Sequence, residues 1–141
     1  MFYYSSKSKN KLLTTKKNIQ KLFHKVLEII DHSILCGNRG KEAQNKAYYE
    51  GRSKIKFPNG KHNKSPSAAV DASAYPIVWP DKKTRPRTYI KDLCRFYYFA
   101  GIVIGVAHMM KIKIRWGGDW DRDHDILDQS FDDLVHFEEM E

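Results

Sequence analysis

The sequence predicts an α+β fold in which helices pack on a small, largely antiparallel sheet. Apolar residues recur at helical spacing after residue 17, and a second, largely apolar helical segment lies between residues 88 and 110. Three shorter segments, near residues 68–80, 111–116 and 131–139, have strand-like patterns. This order of helices, strand, helix and strands is typical of the α+β class.

The composition is that of one basic domain. The chain has 141 residues, of which 41% are hydrophobic and 13% aromatic, enough for a real core. Residues 1–16 contain lysines and no acidic residue, which indicates a partly ordered basic arm before a domain at residues 17–141. The net charge of +8 favours an anionic partner, such as nucleic acid, an acidic membrane surface or a phosphate-rich cell wall. Charge alone does not choose among these partners.

The N-terminal half of the domain predicts two helices, a loop and a strand. The first helix lies in KNIQKLFHKVLEIIDHSIL and ends before Gly37. A shorter helix in KEAQNKAYYE ends at Gly51, since glycine readily adopts the conformation that terminates a helix. Residues 52–67 are rich in Pro, Gly, Asn and Ser and are expected to form a loop. The segment AAVDASAYPIVWP that follows is expected to contain a short strand.

The C-terminal half predicts a central helix and two strands. Thr88 is placed to cap a helix whose uncharged run, Phe96–Met110, is shorter than the roughly 20 residues that span a membrane. KIKIRW alternates as a strand does, GGDWDRDHDILDQS is an acidic loop, and FDDLVHFEE fits a turn leading into a strand. The N-terminus has no apolar stretch typical of a secretory signal, so we expect a location in the cytoplasm.

Two histidines and two aspartates lie where loops meet apolar segments. If AAVDA is a strand, Val70 faces the helices and Asp71 faces the opposite side, where a buried carboxylate needs a cationic partner or a metal. A salt bridge to a lysine or arginine of this basic chain satisfies the same need. Asp133 and His136 share a side only if Asp133 lies in a turn before the last strand. The alternative is a strand with a surface aspartate and an edge histidine.

Taken together, these residues suit a zinc site. Two imidazoles and one carboxylate, from His62, His136 and Asp71, leave one zinc position for water, and Asp133 remains as a base. The chain contains no HExxH, GxSxG, P-loop or dinucleotide-binding glycine pattern. Cys36 and Cys94 form no CxxC motif and are expected to be reduced, half-buried thiols.

The segments HNKSPSAAVDASAYP and DDLVHFE resemble the zinc-binding motifs of phage-type L-alanyl-D-glutamate and D-alanyl-D-alanine metallopeptidases, which share the Hedgehog-type zinc fold. The resemblance implies that His62, Asp71 and His136 bind Zn²⁺ and that Asp133 is the catalytic carboxylate. The chain departs from the broader family at Gly60, where a serine is usual.

Supporting motifs extend the resemblance from about residue 36 to residue 138. NRGKEAQNKAYYEGRSK is similar to a family segment at Arg39, Gln44 and Ser53. RWGGDWD and the Tyr-Pro after the zinc aspartate are also similar to family motifs. These motifs add three further substrate-binding candidates, which are Tyr75, Trp116 and Asp119. The aromatic ones among them could equally belong to the core.

The resemblance implies an endolysin-like enzyme that acts on peptidoglycan stem peptides, and we expect the protein to be a monomer. The scissile bond, L-alanyl-D-glutamate or one containing D-alanine, stays open. The charge would hold the protein near an anionic wall or membrane surface, and release from the cytoplasm would need a pore. Two alternatives are a zinc-binding relative that binds the wall without cleaving it and a small basic nucleic-acid-binding protein, although no nucleic-acid-binding motif is present.

Overall fold

A computed structural model describes all 141 residues and contains one antiparallel sheet with the strand order β1-β2-β4-β3. The predicted α+β class is confirmed. The strands are His32–Cys36 (β1), Ala69–Ala74 (β2), Ile114–Gly117 (β3) and Asp133–Glu139 (β4). The α-helices are Ser6–Leu12 (α1), Lys17–Leu27 (α2), Lys41–Tyr49 (α3) and Tyr89–Met109 (α4), and residues Lys61–Asn63 form one 3₁₀ turn.

The hydrophobic core lies between one face of the sheet and the helices α2 and α4. Val70 and Phe137 are paired across β2 and β4, and both are fully buried. Phe23 of α2 and Phe99 of α4 each pack edge-on against the Phe137 ring. Because side chains alternate along a strand, this core face leaves Asp71 on the opposite face of the sheet, as the sequence predicts.

Residues 1–16 do not form the expected arm. Helix α1 packs against β1, and its Leu12 is only 2% exposed. The Ser8 hydroxyl accepts a hydrogen bond of 3.0 Å from the Ile34 amide, which fixes the helix on the strand. A side chain at Gly37 would collide with the Lys11 carbonyl, so a glycine is needed where β1 ends against α1. The lysine-rich sequence gives no sign that α1 packs on β1, because only one strongly apolar residue of α1 reaches the core.

The first predicted helix is too long. Helix α2 ends at Leu27, and the residues that continue its apolar spacing, Ile30 and Ile34, lie in a turn and in β1. His32, which lies within the predicted helical segment, is a strand residue that is only 3% exposed. Its Nε2 lies 2.6 Å from the Tyr4 hydroxyl. Two apolar positions that are four residues apart fit either the helical or the strand period, and tertiary packing selects the strand.

The other predicted elements are present. Helix α3 ends before Gly51, which has a φ of +77°. Thr88 occupies the N-cap position of α4, but its hydroxyl donates to Asp92 Oδ2 at 2.8 Å rather than capping a backbone amide. None of the helices, α4 included, has both the length and the apolar character that crossing a membrane requires.

We expect Leu12→Ala to lower the free energy of unfolding by about 2–4 kcal/mol, because a buried leucine is replaced by a cavity. Leu13→Ala is the matched control, since the neighbouring Leu13 is 58% exposed. Urea unfolding of both variants measures the difference. Equal, small effects of the two substitutions would show that α1 is not part of the core.

Candidate metal centre and active-site cleft

Three side chains converge at the centre of the sheet face opposite the core. His62 Nε2 lies 3.0 Å from Asp71 Oδ1 and 3.2 Å from His136 Nδ1, and His136 Nδ1 lies 3.3 Å from Asp71 Oδ1. Ligands about 2.0–2.1 Å from a tetrahedral zinc ion are separated by about 3.3 Å. The donor set and its spacing therefore fit a metal ion bound by these three residues.

The fold places these three side chains by two devices, a strand pairing and a turn. Asp71 and His136 are direct partners across the antiparallel pair β2–β4, so their side chains lie side by side on one face. His62 lies in the 3₁₀ turn, where its carbonyl accepts a hydrogen bond of 2.8 Å from the Arg39 amide. The Asn63 side chain accepts from the Gly60 amide at 2.9 Å and closes the turn.

Hydrogen bonds on the far side of each ring orient the two imidazoles. His62 Nδ1 lies 2.8 Å from the Gly37 carbonyl oxygen, which can only accept, so Nδ1 carries the proton and Nε2 faces the centre. His136 Nε2 lies 3.0 Å from Glu138 Oε1, which leaves Nδ1 facing the centre. Arg115 Nη2 donates to Glu138 at 3.0 Å and holds this carboxylate in place. Such outer partners typically orient metal-binding histidines.

The cluster holds groups of opposite charge in direct contact. Burial lowers the pKa of His62, but its hydrogen bonds to Asp71 and Cys36 outweigh burial and raise the pKa to about 10. Burial also opposes ionisation of Asp71, yet hydrogen bonds from His136 and His62 hold its pKa well below the usual range. Asp71 is thus a carboxylate that stays ionised because cationic partners surround it.

A distortion of β4 brings Asp133 to the same cleft. Trp116 of β3 pairs with Phe137, but the next residue, Gly117, pairs with Asp133, so residues 134–136 are additional on the β4 side. A side chain at Gly117 would collide with the Asp133 backbone, so glycine permits this close approach. Asp133 and His136 consequently line one cavity although three positions separate them. Burial and the nearby charge of Asp71 raise the pKa of Asp133.

The ligands and Asp133 lie in a cavity of about 610 Å³. Trp120 and Phe131 form an aromatic wall, in which the Trp120 ring also packs against His136 with 5.6 Å between centroids. Five basic residues line the cavity, and they are Arg39, Arg52, Lys54, Lys61 and Arg115. A cleft with this lining favours an anionic ligand.

Three of the predicted substrate-binding residues also line the cavity. Arg39 Nη2 lies 3.4 Å from Asp71 Oδ2, and Arg39 Nη1 lies 3.3 Å from Gln44 Oε1. Gln44, only 2% exposed, donates to Ser53 Oγ at 3.0 Å. Arg39, Gln44 and Ser53 thus form a continuous network behind Asp71, and Gln44 is too buried to offer much surface to a ligand.

The other three predicted substrate-binding residues do not line the cavity, and their assignment is corrected. Tyr75 follows the far end of β2, which runs away from Asp71, and borders a separate surface cavity beside Tyr98. Trp116 belongs to the core and donates from Nε1 to the Leu134 carbonyl at 2.8 Å. Asp119 is buried in the β3–β4 loop, where it accepts a hydrogen bond of 3.1 Å from the His124 amide.

Sequence reasoning missed the pair of Arg115 and Glu138. Glu138 is two residues after His136, so the alternation of a strand places both on one face. Arg115 is the register partner of Glu138 on β3. The first relation can be found from the HxE spacing once β4 is assigned as a strand, whereas the second requires the sheet order.

Comparison with known proteins supports one assignment. The family model for phage L-alanyl-D-glutamate peptidase matches residues 1–140. The chain belongs to the phage L-alanyl-D-glutamate peptidase family. The crystal structure of the Serratia marcescens L-Ala D-Glu endopeptidase ChiX has the same fold, with a TM-score of 0.69 and 19% sequence identity over 97% of this chain and 89% of that chain. No curated protein is detectably similar in sequence.

Membership in the family identifies the chain as a phage-type peptidoglycan peptidase. The His62–Asp71–His136 cluster is the group in its cleft that could hold a metal ion. A metal site in this peptidase would thus lie on the sheet face away from the core, where the strand register and the 3₁₀ turn hold its ligands.

We expect Glu138→Gln to weaken zinc binding about 10–100-fold, because the amide orients the His136 ring less firmly than the carboxylate does. Glu139→Gln is the matched control, since Glu139 is the next residue along β4 and contacts Asn18 instead. Competition against a chromophoric chelator measures the affinity, with circular dichroism to verify folding. Equal affinities of the two variants would exclude an orienting role for Glu138.

Proposed function

We propose that the protein is a zinc-dependent peptidase that hydrolyses the L-alanyl-D-glutamate bond of peptidoglycan stem peptides. The observation that carries this proposal is the His62–Asp71–His136 cluster, whose donor atoms lie 3.0–3.3 Å apart inside the cleft of a chain from this family. The family description supports the L-alanyl-D-glutamate bond over a bond that contains D-alanine.

His62, Asp71 and His136 would hold the zinc ion and leave one coordination position open towards the cavity. When bound, zinc supplies a Lewis acid that polarises a carbonyl and lowers the pKa of water towards about 7. Three protein ligands with an open position are typical of catalytic rather than structural zinc sites. Glu138 and the Gly37 carbonyl engage the outer ring nitrogens, which leaves Nδ1 of His136 and Nε2 of His62 facing the cavity as the metal-binding atoms.

Asp133 is the proposed general base. Its carboxylate would take a proton from the attacking water and return it to the amine of the leaving group. Burial and the charge of Asp71 raise its pKa, and a raised pKa makes a carboxylate a better proton acceptor at neutral pH. The distortion of β4 at Gly117 is what places this carboxylate in the cleft rather than on the core face.

The basic lining of the cleft supports a substrate that carries free carboxylates, as stem peptides do. Arg39 already contacts Asp71 and Gln44, so its guanidinium is partly engaged. Lys61 precedes His62, lines the cavity and makes no ion pair within the protein, so it is the better candidate for binding a substrate carboxylate. The aromatic wall of Trp120 and Phe131 would contact apolar parts of the peptide.

Three further features remain predictions. A monomeric state, retention in the host cytoplasm before lysis, and attraction by the net charge of +8 to an anionic wall or membrane surface all fit an endolysin-like role. The effect of the Asp133→Asn substitution on activity, described below, distinguishes the proposal from a zinc-binding relative without activity. The nucleic-acid-binding alternative has only the lysine-rich N-terminus and the net charge in its favour.

We expect peptidoglycan cleavage to stop on removal of the metal and to return with zinc. Mass spectrometry of purified peptidoglycan after incubation with zinc-loaded, chelated and zinc-restored protein detects the new termini. Termini of L-alanine and D-glutamate identify the proposed bond. Equal cleavage by the chelated protein would refute zinc dependence, and D-alanine termini would reassign the bond.

We expect Asp133→Asn to lower kcat by about 10²–10⁴-fold while one zinc ion remains bound per chain, because the base is lost but no ligand is. Asp132→Asn is the matched control, since Asp132 is the exposed neighbour. Turnover of a soluble stem peptide and metal analysis of both variants provide the measurements. If Asp133→Asn retains the wild-type rate, another group is the base.

A further inference from the structure

An exposed tryptophan lies at the rim of the cleft. Trp79 belongs to the segment between β2 and α4, lines the cavity and is 58% exposed. One face of its ring stacks on the buried Phe96 ring of α4, with 5.4 Å between centroids and 24° between the planes. Because the ring is already held in place, a ligand that covers its open face has little ordering cost to overcome.

The cleft is apolar towards Trp79 and basic towards its other end. Val135 and Leu35 line the cavity beside Asp71, on the side of the C-terminal end of β2, from which the Trp79 segment departs. Lys61 lies at the opposite end of β2, where its carbonyl accepts a hydrogen bond of 3.0 Å from the amide immediately before the strand. The lining therefore suits a ligand with one uncharged half and one anionic half.

The two halves of the substrate differ in the same way, a step that rests on the proposed cleavage between L-alanine and D-glutamate. The amine half carries the free α-carboxylate of D-glutamate, which suits Lys61. The acyl half is uncharged, because the L-alanine nitrogen forms an amide with the lactyl group of N-acetylmuramic acid, a sugar of the glycan strand. This sugar begins about two residue lengths, roughly 7 Å, from the scissile carbonyl, so it has to lie in or beside the cleft.

We propose that Trp79 forms a subsite for the N-acetylmuramoyl sugar, so that the glycan strand lies beside Trp79 and the stem peptide continues towards Lys61. The face of an aromatic ring is electron-rich, and the C–H groups on one face of a sugar ring carry a slight positive charge, so the two faces attract each other. Leu35 and Val135 would contact the L-alanyl methyl group. The subsite would favour stem peptides that are still attached to a sugar over free peptides.

Kinetics with two matched substrates and the zinc-loaded full chain test the subsite. N-acetylmuramoyl-L-Ala-γ-D-Glu-L-Lys carries the sugar, and N-acetyl-L-Ala-γ-D-Glu-L-Lys has the same amide without it. We expect kcat/KM to be roughly 5–10-fold higher for the muramoyl peptide, the effect of one aromatic stacking contact. Trp79→Ala should bring the two values within about twofold of each other, whereas Trp79→Phe should retain part of the preference. Tyr98→Ala is the matched control and should retain all of it, since Tyr98 is an exposed ring of α4 that borders a different cavity.

Binding of the acyl product separates the subsite from the reaction. In NMR spectra, N-acetylmuramoyl-L-alanine should shift the indole N–H signal of Trp79, which Trp79→Phe identifies by its loss, and N-acetyl-L-alanine should not. Equal cleavage of both peptides with this signal unmoved would refute the subsite and leave the proposed function standing. A shifted signal without cleavage of either peptide would refute the proposed function and leave the subsite standing. A preference for the muramoyl peptide that persists in Trp79→Ala would also overturn the assignment to Trp79.

Discussion

The pairing of Asp71 with His136 across β2 and β4 is the contact on which the rest of the cleft depends. A carboxylate that is largely buried is costly unless charged or hydrogen-bonding partners surround it. Asp71 has three such partners, with His62 at 3.0 Å, His136 at 3.3 Å and Arg39 at 3.4 Å. The same three contacts bring together a strand pair, a 3₁₀ turn and the loop before α3. Removing the carboxylate would thus leave several positive groups without a counter-charge.

The core on the opposite face protects this pairing. A slip of one residue between β2 and β4 would turn Asp71 into the core and Val70 into the cleft. Val70 and Phe137 prevent the slip, because they are register partners that are fully buried against Phe23 and Phe99. Packing on the hydrophobic face therefore fixes the strand register. The register in turn sets the geometry of the polar site on the opposite face, although the core side chains do not contact that site.

The sequence predicts the parts of the site that depend on local pattern. Asp71 follows from strand alternation beside Val70, and the resemblance to zinc peptidases adds His62, His136 and Asp133. Sequence does not predict where a strand becomes irregular, so the extra residues opposite Gly117 that bring Asp133 to the cleft appear only in the fold. Tyr75 lies outside the cavity for a related reason. Residues that are close in sequence are far apart in space when they lie along an extended strand.

The N-terminal elements show a second limit, which concerns amphipathic segments with few apolar residues. Helix α1 has a lysine-rich sequence in which a single residue, Leu12, reaches the core. Its main polar anchor is Ser8, whose hydroxyl accepts from the Ile34 amide. Neither feature has a periodic signal, and both depend on β1, which itself continues the apolar spacing of α2. When the end of α2 after Leu27 is missed, both β1 and the helix α1 that packs on it are therefore missed as well.

The β3–β4 loop positions both Asp133 and the aromatic wall of the cleft. At its start, Gly117 permits the close approach that directs Asp133 towards the His62–Asp71–His136 cluster. Further along, the Trp120 amide and indole nitrogens donate to Gln129 and to the Phe131 carbonyl at 2.9 and 2.7 Å, which ties the aromatic wall to the segment leading into β4. A change in the conformation of this loop would thus move both the Trp120 ring and the segment that leads to Asp133. The position of Asp133 and the shape of the aromatic wall are properties of one loop, so they should respond together to anything that stabilises that loop.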